Sequence, residues 1–229
     1  MGSQLKFKIQ GTMKEIESNI HSIFNAGYAG KNQESVRKHI EELAALGVPT
    51  PKNTPTLYPV SNYLAVQDKL IQVQHTETSG EVEYVLFWKN NDLYITVGSD
   101  HTDRKLESYN VPMSKQASPN VISTEAWLFD DVKDHWDQLE LECWVMLDGE
   151  KQLYQKGTVS ELMSPSDWDQ YFSQYNIANN DNLFFSGTVN IVLQDTKFAK
   201  EYELVLHDPI LNRSIRHSYL IKILPNAIE

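Results

Sequence analysis

The sequence predicts an α+β fold that is mostly β, and three observations carry that prediction. From Val60 onward, short runs rich in β-branched and aromatic residues are separated by Gly, Pro, Asn and Asp clusters. Helical spacing of apolar residues is concentrated near the N-terminus. No β–α–β alternation recurs, which argues against a parallel doubly wound sheet.

In chain order, "LKFKIQ" reads as a first strand. Met13, Ile16, Ile20, Ile23 and Phe24 recur at helical spacing, so a helix is expected over 12–26, ended by Gly27. A second helix is expected over 33–46, through Val36, Ile40, Leu43 and Leu46, with Gly47 as its stop. "VPTPKNTPTLYPV" then places four prolines in eleven residues, which excludes helix and predicts an extended connector. Strands are expected near 69–74, 82–88, 93–97, 139–147, 183–186, 201–206 and 214–224, interrupted by a helix near 159–175. The expected organisation is one structural domain, with an N-terminal strand, helices and connector over 1–59 and a β-rich core over 60–229.

Composition narrows the function. Lys and Arg number 20 against 31 Asp and Glu, a net charge of −11. That balance, without a basic stripe, argues against a nucleic-acid partner. No apolar run has the length of a membrane span, and "MGSQLKFKIQ" lacks a signal peptide's apolar stretch, so a cytoplasmic protein is expected. The single cysteine, Cys143, lies in the strand-like "LECWVML" and is expected to be a buried structural thiol.

The most informative stretch is "GEVEYVLF", residues 80–87. Alternation puts Glu81, Glu83, Val85 and Phe87 on one face and the apolar Val82, Tyr84, Leu86 and Trp88 on the other. Two acids on the mixed face are either solvated at a strand end or compensated by positive charge. "KNND" and "LYITV" follow, so residues 82–97 form a hairpin. A turn centred between Asn90 and Asn91 pairs Tyr84 with Val97 and sets Glu81 opposite Asp100, about 5 Å apart at Cβ. A slip of one residue would move Asp100 to the other face. In the first register three carboxylates converge, each opposing the others' ionisation, and a hard divalent cation resolves the conflict.

Other candidates are individually weaker. His39 and Glu42 in "RKHIEEL" share a helix face, as a base oriented by its acid or as a solvated pair. Lys115 sits in "VPMSKQASP" and has no distinguishing signal alone. Gly187 and Thr188 in "FFSGTV" offer an amide and a hydroxyl to a carboxylate, or form a tight turn. His101 and Arg104 flank Asp100, either supporting it or facing solvent.

The order of these stretches resembles the fumarylacetoacetate hydrolase superfamily in its short single-domain form, as a divergent bacterial branch. "AGKNQESVRKHIEEL" is similar to the family's Gly-x-Asn segment with His-x-x-Glu, and "TPTLYPV" to its substrate-approach loop. "GEVEYVLF" is similar to the Glu-x-Glu strand and "GSDHTDR" to the Asn-Asp-x-Ser-x-Arg motif. "SKQASP", "LDGEKQLYQKGTVSELM" and "NLFFSGTV" complete the series between about residues 29 and 190. Departures are the short interval from Glu83 to Asp100, Val189 after Gly-Thr, Glu107 for the usual Gln, and Val60 for the approach-loop Lys.

The resemblance implies a rolled mixed β-sandwich with an N-terminal helical lid, assembled as a homodimer. It implies Glu81, Glu83 and Asp100 as ligands of Mg²⁺ or Mn²⁺, and His39 with Glu42 as a water-activating dyad. Lys115 would stabilise charge on the substrate, a small 2-oxo or 1,3-diketo acid, with Arg104, Gly187 and Thr188 at its binding site. The activity implied first is hydrolytic carbon–carbon cleavage through a metal-bound enolate. Decarboxylation, hydration of an unsaturated 2-oxo acid, and a non-catalytic metal- or ligand-binding role remain alternatives.

Overall fold

In the computed structural model, which describes residues 3–45, 50–177 and 180–228, the central hairpin takes the register its turn favours. Asn90 and Asn91 have φ of 54° and 68°, the left-handed pair whose twist matches that of the flanking strands. Strands Val82–Lys89 and Asp92–Asp100 therefore pair Tyr84 with Val97 and Glu83 with Gly98.

A curled, mixed ten-stranded sheet grows outward from this hairpin. On one side Asn182–Phe185 pairs with Val82–Lys89, followed by Ser22–Gly27 and the edge strand Thr56–Val60. On the other side Glu125–Leu128 joins Asp92–Asp100, then Ser3–Ile9 and Glu15–Ile20. Asn120–Ile122 also borders Asp92–Asp100 and pairs in turn with Ala65–Val66. A second sheet runs in the order Glu150–Thr158, Glu140–Leu147, Glu201–Asp208, Arg213–Ile223 and Leu70–Val73.

Alternation lets one strand serve two cores. Val82, Tyr84, Leu86 and Trp88 pack between the sheets with Leu141, Cys143, Tyr202 and Tyr219. Val85 and Phe87 point the other way, with Phe7, Ile20, Ile23 and Phe185, into a core that the curled sheet closes around itself. Phe87 stacks on Phe7 and Tyr94, at centroid distances of 4.1 and 5.2 Å. Cys143 is buried, and burial pushes its thiol well above the usual range. The resulting architecture is mostly β with curled mixed sheets. Among the described residues no helix is long and apolar enough to cross a membrane.

The helix expected over 12–26 is replaced by the strands Glu15–Ile20 and Ser22–Gly27. Ile16, Ser18 and Ile20 are buried while Glu15, Glu17 and Asn19 are exposed, a period of two. Ile16 and Ile20 fit both periods. Gly11, at φ 79°, turns the chain so that the segment folds back on Ser3–Ile9, and pairing there overrides local propensity. The second helix spans Gln33–Ala45, and the helix expected near 159–175 is a short 3₁₀ turn, Val159–Glu161, followed by Pro165–Gln174. Ser164 and Asp167 start the latter as a capping box. The proline-rich connector contributes the sheet's edge strand.

Candidate metal centre

The hairpin delivers three acids to one place. Glu81 and Glu83 lie on the face of Val85 and Phe87, Asp100 ends the partner strand, and one oxygen from each lies within 4.8 Å of the others. Glu83 and Asp100 are buried. Gly98, opposite Glu83, permits this packing: a Cβ there would stand 2.7 Å from the Val121 carbonyl oxygen and 2.8 Å from Phe185 and Val85.

Each acid is held by a different element. The Glu81 amide donates to Ser99 Oγ at 3.1 Å, and its Oε1 pairs with Arg104 Nη2 at 2.9 Å. Arg104 opens the short helix Arg104–Glu107, where its Nε donates to Ser79 Oγ at 2.7 Å and its Nη1 to Glu107 at 2.9 Å. Glu83 Oε2 accepts the Gly187 N–H at 2.8 Å. Lys115, buried on the helix Val111–Gln116, pairs with Asp100 Oδ2, and its ammonium lies 3.7 Å from Glu81 Oε2. That ammonium also sits 5.8 Å from the centroid of the Tyr58 ring. Glu83 Oε1 and Asp100 Oδ1 are buried without a hydrogen-bond partner.

Protonation follows from this arrangement. Burial, then the Asp100 and Glu81 carboxylates, push Glu83 well above the usual carboxylate range. Burial and Glu81 push Asp100 up to about 6 against the pull of Lys115. Burial raises Glu81 too, but Arg104 and Lys115 outweigh it and hold the carboxyl low. Burial opposes the charge on Lys115, yet Asp100, Glu81 and Glu83 keep its ammonium protonated.

Fully ionised, Glu81, Glu83, Asp100 and Glu107 carry four negative charges against two positive ones on Arg104 and Lys115. In that state the excess of two and the two orphaned carboxylate oxygens would suit a hard divalent cation. His101 points away, its ring nitrogens 3.1 Å from Tyr219 Oη and 3.0 Å from Thr78 Oγ1. Burial lowers its pKa to about 3, so it stays neutral.

The other expected residues fall around this cluster in different ways. Thr188 donates to the Val82 carbonyl at 2.7 Å and accepts from the Gln155 amide at 2.8 Å, so its hydroxyl is tied into the scaffold. Gly187, at φ 82°, supplies the N–H that Glu83 accepts. His39 and Glu42 belong to the helix Gln33–Ala45, but their side chains lie outside the described residues. Sequence reasoning missed Tyr58, Asn25 and Asn120, and named Glu107 only as a departure from the family motif. Asn120 stands opposite Asp100 and donates to Asn25 Oδ1 at 2.8 Å. Asn25 was hidden in the segment read as helix, and Tyr58 in the segment read as connector.

A family model described as "Protein of unknown function (DUF2848)" matches residues 26–219. No curated protein matches the sequence. The fold is shared with solved structures at low sequence identity. A structure of 2-keto-3-deoxy-D-arabinonate dehydratase without ligand superposes with a TM-score of 0.63 at 13% identity, over 96% of this chain and 79% of that one. The same enzyme complexed with magnesium and 2,5-dioxopentanoate gives 0.61 at 14% identity, over 95% and 79%. The 4-oxalocrotonate decarboxylase of Pseudomonas putida G7, complexed with calcium and acetate, gives 0.53 at 11%, over 90% and 78%.

Proposed function

The chain belongs to the DUF2848 family, and from that premise we propose that it is a divalent-metal-dependent enzyme acting on a small 2-oxo or 1,3-diketo acid. The observation that carries this reading is the pair of buried, unpartnered oxygens on Glu83 and Asp100, inside a cluster of three converging carboxyl groups. Glu81, Glu83 and Asp100 would hold Mg²⁺ or Mn²⁺. Such a cation supplies Lewis-acid polarisation of a bound carbonyl. Arg104 would fix Glu81, and the Gly187 amide would fix Glu83. Thr188 would anchor the start of the strand, so these three are assigned to holding the ligands in place of direct substrate contact. Lys115 would add positive charge beside the reacting oxygens. His39, oriented by Glu42, would take a proton from water near neutral pH.

Hydrolytic carbon–carbon cleavage is the first reaction to test. Dehydration or decarboxylation on the same residues is the second, favoured by the dehydratase and decarboxylase that share the fold. A homodimer in the cytoplasm is the proposed setting. The decisive measurement is the melting temperature of chelator-stripped protein against added Mg²⁺ and Mn²⁺, beside Glu83→Gln. Cation at a hundred times its Kd stabilises the native state by about 2.7 kcal/mol, a rise of roughly 5–11 °C for a chain of this size. The expected rise in wild type vanishes in Glu83→Gln. No rise in either protein would leave the cluster a purely structural charge network and remove the basis for an enzyme. Acylpyruvates, oxaloacetate and unsaturated 2-oxo acids then separate the three reactions.

A further inference from the structure

A cleft of about 610 Å³ opens between the edge strand Thr56–Val60, the segment leading into the helix Val111–Gln116, and the C-terminal end of the helix Pro165–Gln174. Its walls are aromatic and aliphatic: Leu57, Tyr58, Tyr109, Val111, Tyr171 and Tyr175. Lys52 is its one charged lining residue among those described. Two of the polar groups along it are already engaged. The Tyr171 hydroxyl donates to the Pro55 carbonyl at 3.0 Å, and the Asn110 side chain accepts the Met113 N–H at 3.0 Å.

Two features join this cleft to the charged cluster. Val111 and Lys115 are four residues apart on one helix, so they share a face, and both are buried. Val111 lines the cleft while Lys115 reaches Asp100. The Tyr58 ring is a common wall, lining the cleft and lying under the Lys115 ammonium. An acid anchored at the cluster therefore has, next to its charged head, a space of ligand size walled largely by apolar and aromatic side chains, in which apolar surface gains and Lys52 is the one charge among the described lining residues.

We infer that the substrate carries an apolar, aromatic-sized substituent seated among Leu57, Tyr58, Tyr109, Val111, Tyr171 and Tyr175. This rests on the proposed metal-dependent site for 2-oxo and 1,3-diketo acids and names the class within it. Burying a phenyl ring in such a cleft in place of a methyl group tightens binding by a factor of about ten or more.

The test compares 2,4-dioxopentanoate with 4-phenyl-2,4-dioxobutanoate, which differ only in the terminal methyl or phenyl group. Affinities are read from thermal-shift titrations with and without Mg²⁺, on wild type, Tyr109→Ala and Tyr175→Ala. Both tyrosines are exposed, at 78% and 53%, so both variants are expected to fold. The phenyl compound should bind at least tenfold more tightly in Mg²⁺, and that advantage should shrink in each variant while the methyl compound is unaffected. Mg²⁺-dependent binding of both acids with equal affinity would overturn the cleft assignment and leave the metal site standing. No Mg²⁺-dependent binding of either acid would overturn the site reading and this inference with it.

Discussion

Lys115 sets the charge balance of the cluster. Its ammonium is buried against Asp100 and Glu81, and removing one member of a buried pair costs about 3–5 kcal/mol because the other charge is left behind. Lys115→Met is therefore expected to lose that much stability in chelator at pH 8, measured by urea unfolding. Added Mg²⁺ should restore a large part of it. A variant as stable as wild type in chelator would show that Lys115 does not compensate the acids. Arg104→Lys keeps the charge but loses the fork that reaches Ser79, Glu81 and Glu107 together. Cation affinity should fall about tenfold or more as Glu81 loosens, read from the concentration dependence of the melting shift. At this scale the acids were legible because strand alternation and a two-residue turn fix which side chains meet. Lys115 was legible only through family resemblance, since nothing local marks a lysine as buried. Tyr58 and Asn25 were not legible, because their strands are defined by distant pairing partners.

Among the elements, the turn between Glu201–Asp208 and Arg213–Ile223 depends on Asp208. Its Oδ1 accepts the Ile210 and Leu211 N–H groups at 3.1 and 3.0 Å and lies 3.0 Å from His135 Nε2, while Oδ2 faces Arg213 Nε at 3.3 Å. Burial raises this carboxyl, but the Leu211 N–H, His135 and Arg213 outweigh it and hold it below the ordinary value of 3.8. The folded state thus binds fewer protons than the unfolded state there. Its contribution is complete above the ordinary value and is lost as pH falls through the folded one. Asp208→Asn should cost about 1.5–3 kcal/mol at pH 7, with the gap to wild type closing below about pH 4, as urea titrations across pH would show. Gly98→Ala should destabilise by about 1–3 kcal/mol, because the added carbon meets Val121 backbone and two packed side chains. Helical spacing misled over 12–26 because Ile16 and Ile20 satisfy both periods, and the deciding contacts lie across the hairpin with Ser3–Ile9. Over 33–45 no competing strand partner intervenes, and the helix follows its pattern.

In the whole molecule, the two cores lie on opposite faces of the ten-stranded sheet, and alternate residues of the central hairpin, of Asn182–Phe185 and of Glu125–Leu128 serve one core each. The β-rich character was legible from composition and punctuation, whereas the strand order was not, because neighbours such as Ser22–Gly27 and Asn182–Phe185 are far apart in sequence. Cation binding should act on only part of this frame. Hydrogen exchange is expected to slow at residues 81–87, 98–103 and 111–116 when Mg²⁺ is added, and to stay unchanged at 140–158 in the second sheet. Uniform slowing across both sheets would place the cation elsewhere. The three acids and both compensating cations, Arg104 and Lys115, all lie within residues 81–115. A recombination event with breakpoints outside that interval transmits the whole ionic assembly or none of it, so descendants of this gene inherit the centre as a unit, with Tyr109 and Val111 of the cleft, while the walls supplied by Tyr58, Tyr171 and Tyr175 lie outside it and are free to diverge.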